Sequence, residues 1–600
     1  MISPFQRLSS LVRLKRLAVA VAIGVGLLYG LPNIFFIFGD FSSYRGIPLL
    51  QTPNEGSYLG RIQEIVDGHG AVSSPFFFEY KEGVPLSPST GEWVYALPAI
   101  LFGISPATVL VVSKFFFPPI LFLLVYALAF RLAQGEGRSR EAMAIACGLL
   151  VTLGYDLVDY RTMLSYVSGS GVPNSFLLWA RPVNPILGAL FLFSFLLSVL
   201  AIVQNTIRRK TAIVTASVFL ALMFGSYFFS WGTAFSVLVL LILILVARKK
   251  YATAGNLTLV IPFGILLASP YWYGAWQATH SPWYASSVLR SGLFLTHYPL
   301  WNKFLLATLF FFAVILAFDF LWKKRRGIEW SVETWHCFNL SLLLGGIWTY
   351  SQQILTGETI WPYHFVQYTI PLAMLVLMVS IYNCIRPMQR YLSNMFVSGV
   401  ILLSVCLGVY TQVQAYTAAV PYYARMQVYK ALFDFLNTRE KECVVFVNET
   451  DAEMSELNTL IPAFTHCNRY VSTEMNSLIP DTRGEDGYLA LLRLRGILPV
   501  DIDEYIRAHR SEASGYLFSN WQGLFGVKDF PDFSDPVLEE RLSAFPERYR
   551  AFLTKEFRTE LQKYRLDFIL SDSSLDGEVL LRIPGLTKVF TSAGKSLCAF

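Results

Sequence analysis

Residues 208–250 read RRKTAIVTASVFLALMFGSYFFSWGTAFSVLVLLILILVARKK. Arg208, Arg209 and Lys210 open the stretch; Arg248, Lys249 and Lys250 close it. Between them lie two apolar segments, 211–228 and 231–247, parted only by Phe229 and Ser230. A helix of roughly 20 apolar residues spans a bilayer core, and cytoplasmic loops carry an excess of Lys and Arg. The stretch therefore reads as a tight hairpin of two crossings that starts and ends on the cytoplasmic face.

The same punctuation recurs along the first 413 residues, at Arg7/Arg13/Lys15/Arg16, Arg131/Arg138/Arg140, Lys323/Lys324/Arg325/Arg326 and Arg386/Arg390. Two crossings fit between each successive pair of clusters, and one follows the last. The expected spans number about eleven: 17–38, 106–131, 141–157, 186–205, 211–228, 231–247, 256–274, 302–322, 335–353, 366–384 and 393–413. The first follows basic residues as a signal peptide would. It is too long for that and lacks a small-residue cleavage site, so it reads as an uncleaved helix. An odd number of crossings from a cytoplasmic N-terminus leaves the tail outside. The fold class expected is a polytopic α-helical membrane protein, with a transmembrane domain over 1–413 and a soluble extracytoplasmic α/β domain over 414–600.

Composition agrees. The chain of 600 residues is 54% hydrophobic and 15% charged, with a mean hydropathy of +0.47, against about 25% charged for soluble domains. The net charge of +6 resides at segment ends, where it sets topology and gives no footprint for nucleic acid. Residues 414–600 have no spanning run. Cys443–Asn448, Arg469–Ser472 and Asp567–Ser571 read as strands, Asp451–Phe464 as a helix, and the end as a hairpin about Ala593-Gly594. Alternation of strand and helix suggests a partly parallel sheet. Of the seven cysteines, Cys443 and Cys467 each open a strand and form the expected disulfide pair, which an extracytoplasmic site permits.

Polar chemistry gathers in the non-cytoplasmic loops. The large first loop, 39–105, holds Asp40, Glu55, Tyr58 and Arg61; 158–185 holds Arg181 and Asn184; 275–301 holds His280, Arg290 and His297; and 354–365 holds Glu358 and His364. Thr52-Pro53-Asn54-Glu55 reads as a capping box opening an amphipathic helix over 55–66 that lies on the membrane face. Glu55 is then either the reciprocal cap or a carboxylate held ionised by the helix N-terminus, suited to a general base. Asp40 is either a turn residue or a second carboxylate at the bilayer edge.

Asn54-Glu-Gly-Ser-Tyr-Leu-Gly-Arg-Ile-Gln-Glu-Ile-Val-Asp-Gly68, then Ser74-Pro75, Phe76-Phe-Phe-Glu-Tyr80, Pro85 and Leu97-Pro-Ala-Ile-Leu-Phe-Gly103, resembles the first periplasmic loop of GT-C membrane glycosyltransferases. Protein O-mannosyltransferases and lipid A aminoarabinose transferases belong to that group. The motif covers about fifty residues; the architecture covers the whole chain. One departure stands out, since the Asp that usually precedes Glu55 is Asn54 here, and Asn cannot be a base. The resemblance implies an inverting glycosyltransferase in a bacterial inner or plasma membrane. Its donor is a polyprenyl-phosphate sugar and its acceptor a glycan, lipid or protein. Glu55 is the first expected base and Asp40 the second. Arg181 and Arg290 are expected on the lipid phosphate, which guanidinium suits, with His364 assisting. Tyr58, Arg61, Trp179, Asn184 and Glu358 are expected along the sugar or lipid. The carboxylates are compatible with Mg²⁺ or Mn²⁺ without requiring either.

Two other classes compete: a transporter or lipid flippase, and a non-catalytic scaffold derived from such an enzyme. Ion-coupled transporters carry charged residues within their spans; here Lys114 and Asp319 are the main ones. The Trp-Trp-Asp signature of oligosaccharyltransferases is missing from 414–600. Reporter fusions test the threading. A fusion after Phe600 is expected to report the non-cytoplasmic side and one at Lys249 the cytoplasm; the reverse result would overturn the topology.

Overall fold

The computed structural model describes residues 16–39, 43–135, 137–158, 160–168, 176–518 and 536–600. Asp40 and Asp159 lie outside them. Helices stand at every expected span, from Arg16–Gly39 to Arg390–Met426. By length and composition seven are able to cross a membrane, or eight if Tyr251–Leu267 and Ser269–Thr279, bent by 59°, make one broken span. Arg138–Leu153 and Arg209–Phe224 have 16 residues each, about 24 Å at 1.5 Å per residue. The first is buried along nearly its whole length, so other helices, rather than lipid, set its environment. Proteins in a bilayer satisfy backbone polar groups within each helix, which is why these segments tolerate such apolar sequences.

The two ends of the bundle differ chemically. At the basic end the loops tie to one another: Gln134 N–H donates to Asn383 Oδ1 at 2.8 Å, Asn383 Nδ2 to the Leu132 carbonyl at 3.1 Å, and Gln204 Nε2 to the Arg131 carbonyl at 3.4 Å. At the other end the long loops meet each other and the tail. Val183 N–H donates to the Tyr95 hydroxyl at 3.2 Å. Strand β1 (Leu293–Leu295) of the third loop pairs antiparallel with β2 (Glu358–Ile360) of the fourth, a link without a strong strand signal because each strand is only three residues long. Arg45 N–H donates to Gln427 Oε1 at 2.9 Å, and Arg469 N–H to the Phe76 carbonyl at 3.0 Å.

The soluble domain is built on a five-stranded sheet, order β4-β3-β5-β7-β6, from β3 (Val444–Val447), β4 (Asn468–Arg469), β5 (Phe568–Asp572), β6 (Thr587–Ser592) and β7 (Lys595–Ala599). Strand β3 runs parallel to both β4 and β5, and the terminal hairpin β6–β7 adds antiparallel to β5. The Cys443–Cys467 disulfide closes the start of β3 onto β4, with 4.4 Å between the Cα atoms. The segment between β4 and β5 folds into helices, Asp481–Arg495 and Pro536–Leu553 being the longest. No break separates this domain from the membrane at residue 413, because the last helix continues to Met426.

The loop helix Glu55–Val66 departs from expectation in two ways. It starts at Glu55 behind Asn54, whose φ of 66° is left-handed, so the predicted N-cap Thr52 lies two residues upstream. Its apolar stripe is also covered by protein on both sides. Leu59 joins Leu457, Leu460 and Ile461 in one core, while Ile62 and Ile65 join Tyr95 and Ala96 in another. The helix is thus clamped between Ala452–Phe464 and Thr90–Phe102. Gly56 and Gly60 form the contact face: a Cβ on Gly56 would lie 3.0 Å from Thr459 Cγ2, and one on Gly60 3.2 Å from Phe76 Cε1 and 3.5 Å from Pro462. Gly60→Val is expected to cost about 1–3 kcal/mol by overpacking and to expose the domain to proteolysis. Gly24→Ala, where a Cβ meets nothing within 4 Å, is expected to be neutral. Thermal unfolding and limited proteolysis in detergent measure both.

Candidate functional site

The clamp on the loop helix decides what its carboxylates can do. Glu55 is 1% exposed and Lys114 3%. Lys114 Nζ lies 3.2 Å from Glu55 Oε1 and 3.0 Å from Oε2. Thr52 adds its N–H at 3.0 Å and its hydroxyl at 2.7 Å, both to Oε1. The reciprocal half of the capping box is therefore made, and the rest of the carboxylate neutralises the lysine that interrupts the second span. The expected base occupies a buried ion pair, so reaching a substrate hydroxyl would require that pair to open. Other carboxylates of the first loop are spoken for as well: Glu64 pairs with Lys81, and Glu92 with Arg61 at 2.6 Å.

Arg181 stands apart from these pairs. It follows the turn Leu178–Ala180, which Trp179 anchors by donating its indole N–H to the Val151 carbonyl at 2.7 Å. Trp179, expected along the ligand, is instead 2% exposed and serves as that anchor. The guanidinium lies 5.7 Å from the centroid of the Tyr58 ring, with that phenol hydroxyl close by. Its Nε is buried and has no hydrogen-bond partner among the described residues; the same is true of Asn184 Oδ1. Tyr227, from the turn of the hairpin quoted first, places its hydroxyl 3.0 Å from His364 Nδ1. Burial pushes the Tyr227 phenol well above its ordinary range, so it keeps its proton at neutral pH. Tyr368 stacks obliquely on Tyr227 at 6.1 Å, and Phe229 and Trp361 flank His364 at 5.1 and 5.2 Å.

Tyr58, Arg181, Tyr227 and His364 thus come together from four separate stretches of chain. Tyr227 and Tyr368 were missed in the sequence. The turn of that hairpin falls at 225–227, between Arg209–Phe224 and Phe228–Ala247, and not at Phe229–Ser230 as expected, which brings Tyr227 out of the span.

Other expected residues lie elsewhere. Arg290 is fully buried and donates to Ser287 Oγ at 2.8 Å and to the Ser477 and Ile479 carbonyls at 3.3 and 2.8 Å, besides pairing with Asp481. It fastens the third loop to the soluble domain. Its place in the third loop made it an expected phosphate ligand; the domain supplies its partners instead. Glu358 is exposed in β2, where Leu295 is its register partner. Among the described residues, ligand atoms of three His, Cys, Asp or Glu side chains cluster tightly at Cys443, His466 and Cys467, but the two sulfurs there are joined as a disulfide.

No known family model and no curated protein matches the chain. Solved structures do. ArnT from Cupriavidus metallidurans in its apo state is 10% identical with a TM-score of 0.46, covering 97% of each chain. The same transferase bound to undecaprenyl phosphate gives 11% identity and 0.44, with 97% of each chain covered. The oligosaccharyltransferase AglB from Archaeoglobus fulgidus, with an inhibitory peptide and a dolichol-phosphate, gives 13% and 0.43, covering 99% of this chain and 75% of that one.

The Glu55–Lys114 pair yields a stability test. Removing one partner of a buried pair strands the other charge, at about 3–5 kcal/mol. Glu55→Gln and Lys114→Met are each expected to destabilise the protein by that order. The double variant is expected to lose markedly less than the sum, as read by thermal unfolding in detergent.

Proposed function

We propose that the protein is an integral-membrane glycosyltransferase that moves a sugar from a polyprenyl-phosphate carrier to an acceptor hydroxyl on the non-cytoplasmic face. The observation that carries this is the Arg181 cluster. A half-buried guanidinium, with its Nε enclosed and unfilled and no carboxylate paired with it among the described residues, sits just ahead of the span Ile186–Gln204, where a lipid phosphate would lie. A buried donor left unpaired costs about 1–3 kcal/mol, and an anionic ligand removes that cost. The first-loop sequence, with its GT-C character, supports the same reading.

The chemistry follows from the charges. The acceptor oxygen attacks the anomeric carbon and inverts it as the bond to the phosphate oxygen breaks. The electron pair of that bond goes to the polyprenyl phosphate. Arg181 opposes the charge developing on the leaving phosphate, in a site where a fixed donor acts more strongly than in water. Tyr58 orients the guanidinium through its ring face and hydroxyl. His364 and Tyr227, hydrogen-bonded to each other, border the same space. Glu55 holds Lys114 and shapes the start of the loop helix. The acceptor is a hydroxyl of a glycan, lipid or protein.

A transport reading finds less support. The two main charged residues within the spans are both satisfied locally: Lys114 by Glu55, and Asp319 by Lys323 at 3.0 Å and by the Trp330 indole N–H at 2.9 Å. A path for an ion or lipid head group would need such charges facing it.

Arg181→Ala is expected to lower transfer from a polyprenyl-phosphate sugar fraction by about 10²–10³-fold, the range seen when a donor to developing charge is lost. Arg181→Lys is expected to recover part of it, without the planar fork. A radiolabelled transfer assay beside thermal unfolding checks this. Wild-type turnover in stably folded Arg181→Ala would refute the assignment.

A further inference from the structure

Among the described residues, the carboxylates of the first loop that approach the Arg181 cluster, Glu55 and Glu92, are buried against Lys114 and Arg61 and are poorly placed to take a proton. The soluble domain brings a carboxylate of a different kind to the same loop helix. Glu474 lies just beyond β4, in the segment that passes the first turn of the loop helix. Its Oε1 accepts from Ser57 Oγ at 2.6 Å and from Arg469 at 3.4 Å. Its side chain is 33% exposed, and no hydrogen bond to Oε2 is found among the described residues.

Position connects Glu474 to the Arg181 cluster. Ser57 and Tyr58 point in different directions, but each lies one helical turn from Arg61, at four and three residues. Glu474 seats on the helix through Ser57, and both Glu474 and Tyr58 act electrostatically on the Arg61 guanidinium. Tyr58 in turn carries Arg181. An anion-binding pole and a carboxylate pole therefore flank Arg61, the first from the membrane bundle and the second from the soluble domain. Glu474 is also held in place. Arg469 is 3% exposed, lies 4.1 Å over the Phe76 ring and donates to the Thr459 carbonyl at 3.0 Å. The Glu474 N–H donates to Ser472 Oγ at 3.0 Å.

We infer that Glu474 binds the attacking hydroxyl of the acceptor and takes its proton. This rests on the glycosyltransferase reading above. In the step, the acceptor O–H bond breaks and its proton passes to Glu474 Oε2. The oxygen forms the new bond to the anomeric carbon, and the carrier phosphate leaves with the old bond's electrons toward Arg181. Catalysis is then divided between the two domains, and a chain lacking its tail would bind the carrier without turning it over.

The test uses the full chain in lipid nanodiscs. Binding of undecaprenyl phosphate is followed by native mass spectrometry, and transfer is followed from a polyprenyl-phosphate sugar fraction. Glu474→Gln is expected to lose about 10²–10⁴-fold in kcat, the usual contribution of a general base, with carrier binding and thermal unfolding unchanged. Arg181→Ala is expected to lose carrier binding instead. Ser57→Ala, which removes only the hydrogen bond to Oε1, is expected to lower kcat about tenfold, of the order of one hydrogen bond, and to leave the KM for the carrier unchanged. Turnover by Glu474→Gln within threefold of wild type would overturn the assignment of Glu474 while leaving the function standing. Should Glu474→Gln fail to fold, unchanged kcat in Ser57→Ala would overturn it. A wild-type protein that neither binds the carrier nor transfers sugar would overturn both readings.

Discussion

The close approach of two helices, Glu55–Val66 from the first loop and Ala452–Phe464 from the soluble domain, underlies the rest of this molecule. It depends on missing side chains: Gly56 and Gly60 leave room for Thr459, Leu460 and Pro462. The contact fixes the loop helix at one angle and height. Tyr58 then meets Arg181, Ser57 meets Glu474, and Glu55 reaches down to Lys114. Each of these polar contacts is short in reach, and none would survive a shift of the helix by a residue.

Arginines secure the same seam. Arg290 binds the third loop to the segment around Ile479. Arg483, fully buried, lies against the rings of Phe77, Tyr470 and Tyr564 at 4.5, 5.1 and 4.2 Å. Arg469 covers Phe76. A guanidinium is weakly hydrated and stacks on aromatic faces, so it can be enclosed where an ammonium would keep its water. Arg181 is made of the same material, but Arg290, Arg469 and Arg483 each face a carboxylate, from Asp481, Glu474 and Glu79, whereas no carboxylate pairs with Arg181 among the described residues. That difference separates a fastener from a ligand-binding group.

Much of the fold was legible because the bilayer simplifies the code. Apolar length is enough to find the helices from Arg16–Gly39 to Arg390–Met426, and short continuous apolar runs found β3 and β5 within a residue or so. The site was less legible. Glu55 and Arg290 carry the right chemistry in the right loops, and only partners distant in sequence, Lys114 and Asp481, show that they are engaged. Tyr227 and Glu474 gave no local signal of purpose, since what matters about each is its neighbour across a gap of more than a hundred residues. The pair Gly56 and Gly60, four apart on a helix, was the one readable hint that something would press against that face.

The last helix, Arg390–Met426, has 37 residues, about 55 Å at 1.5 Å per residue, whereas a bilayer core is about 30 Å thick. About 25 Å of helix is therefore left over beyond the core thickness, and it leads into the sheet domain. Pro421 sits in that surplus, where a helix bends readily. A tilt that membrane thickness imposes on the lower part thus reaches the domain through a joint rather than a rigid rod.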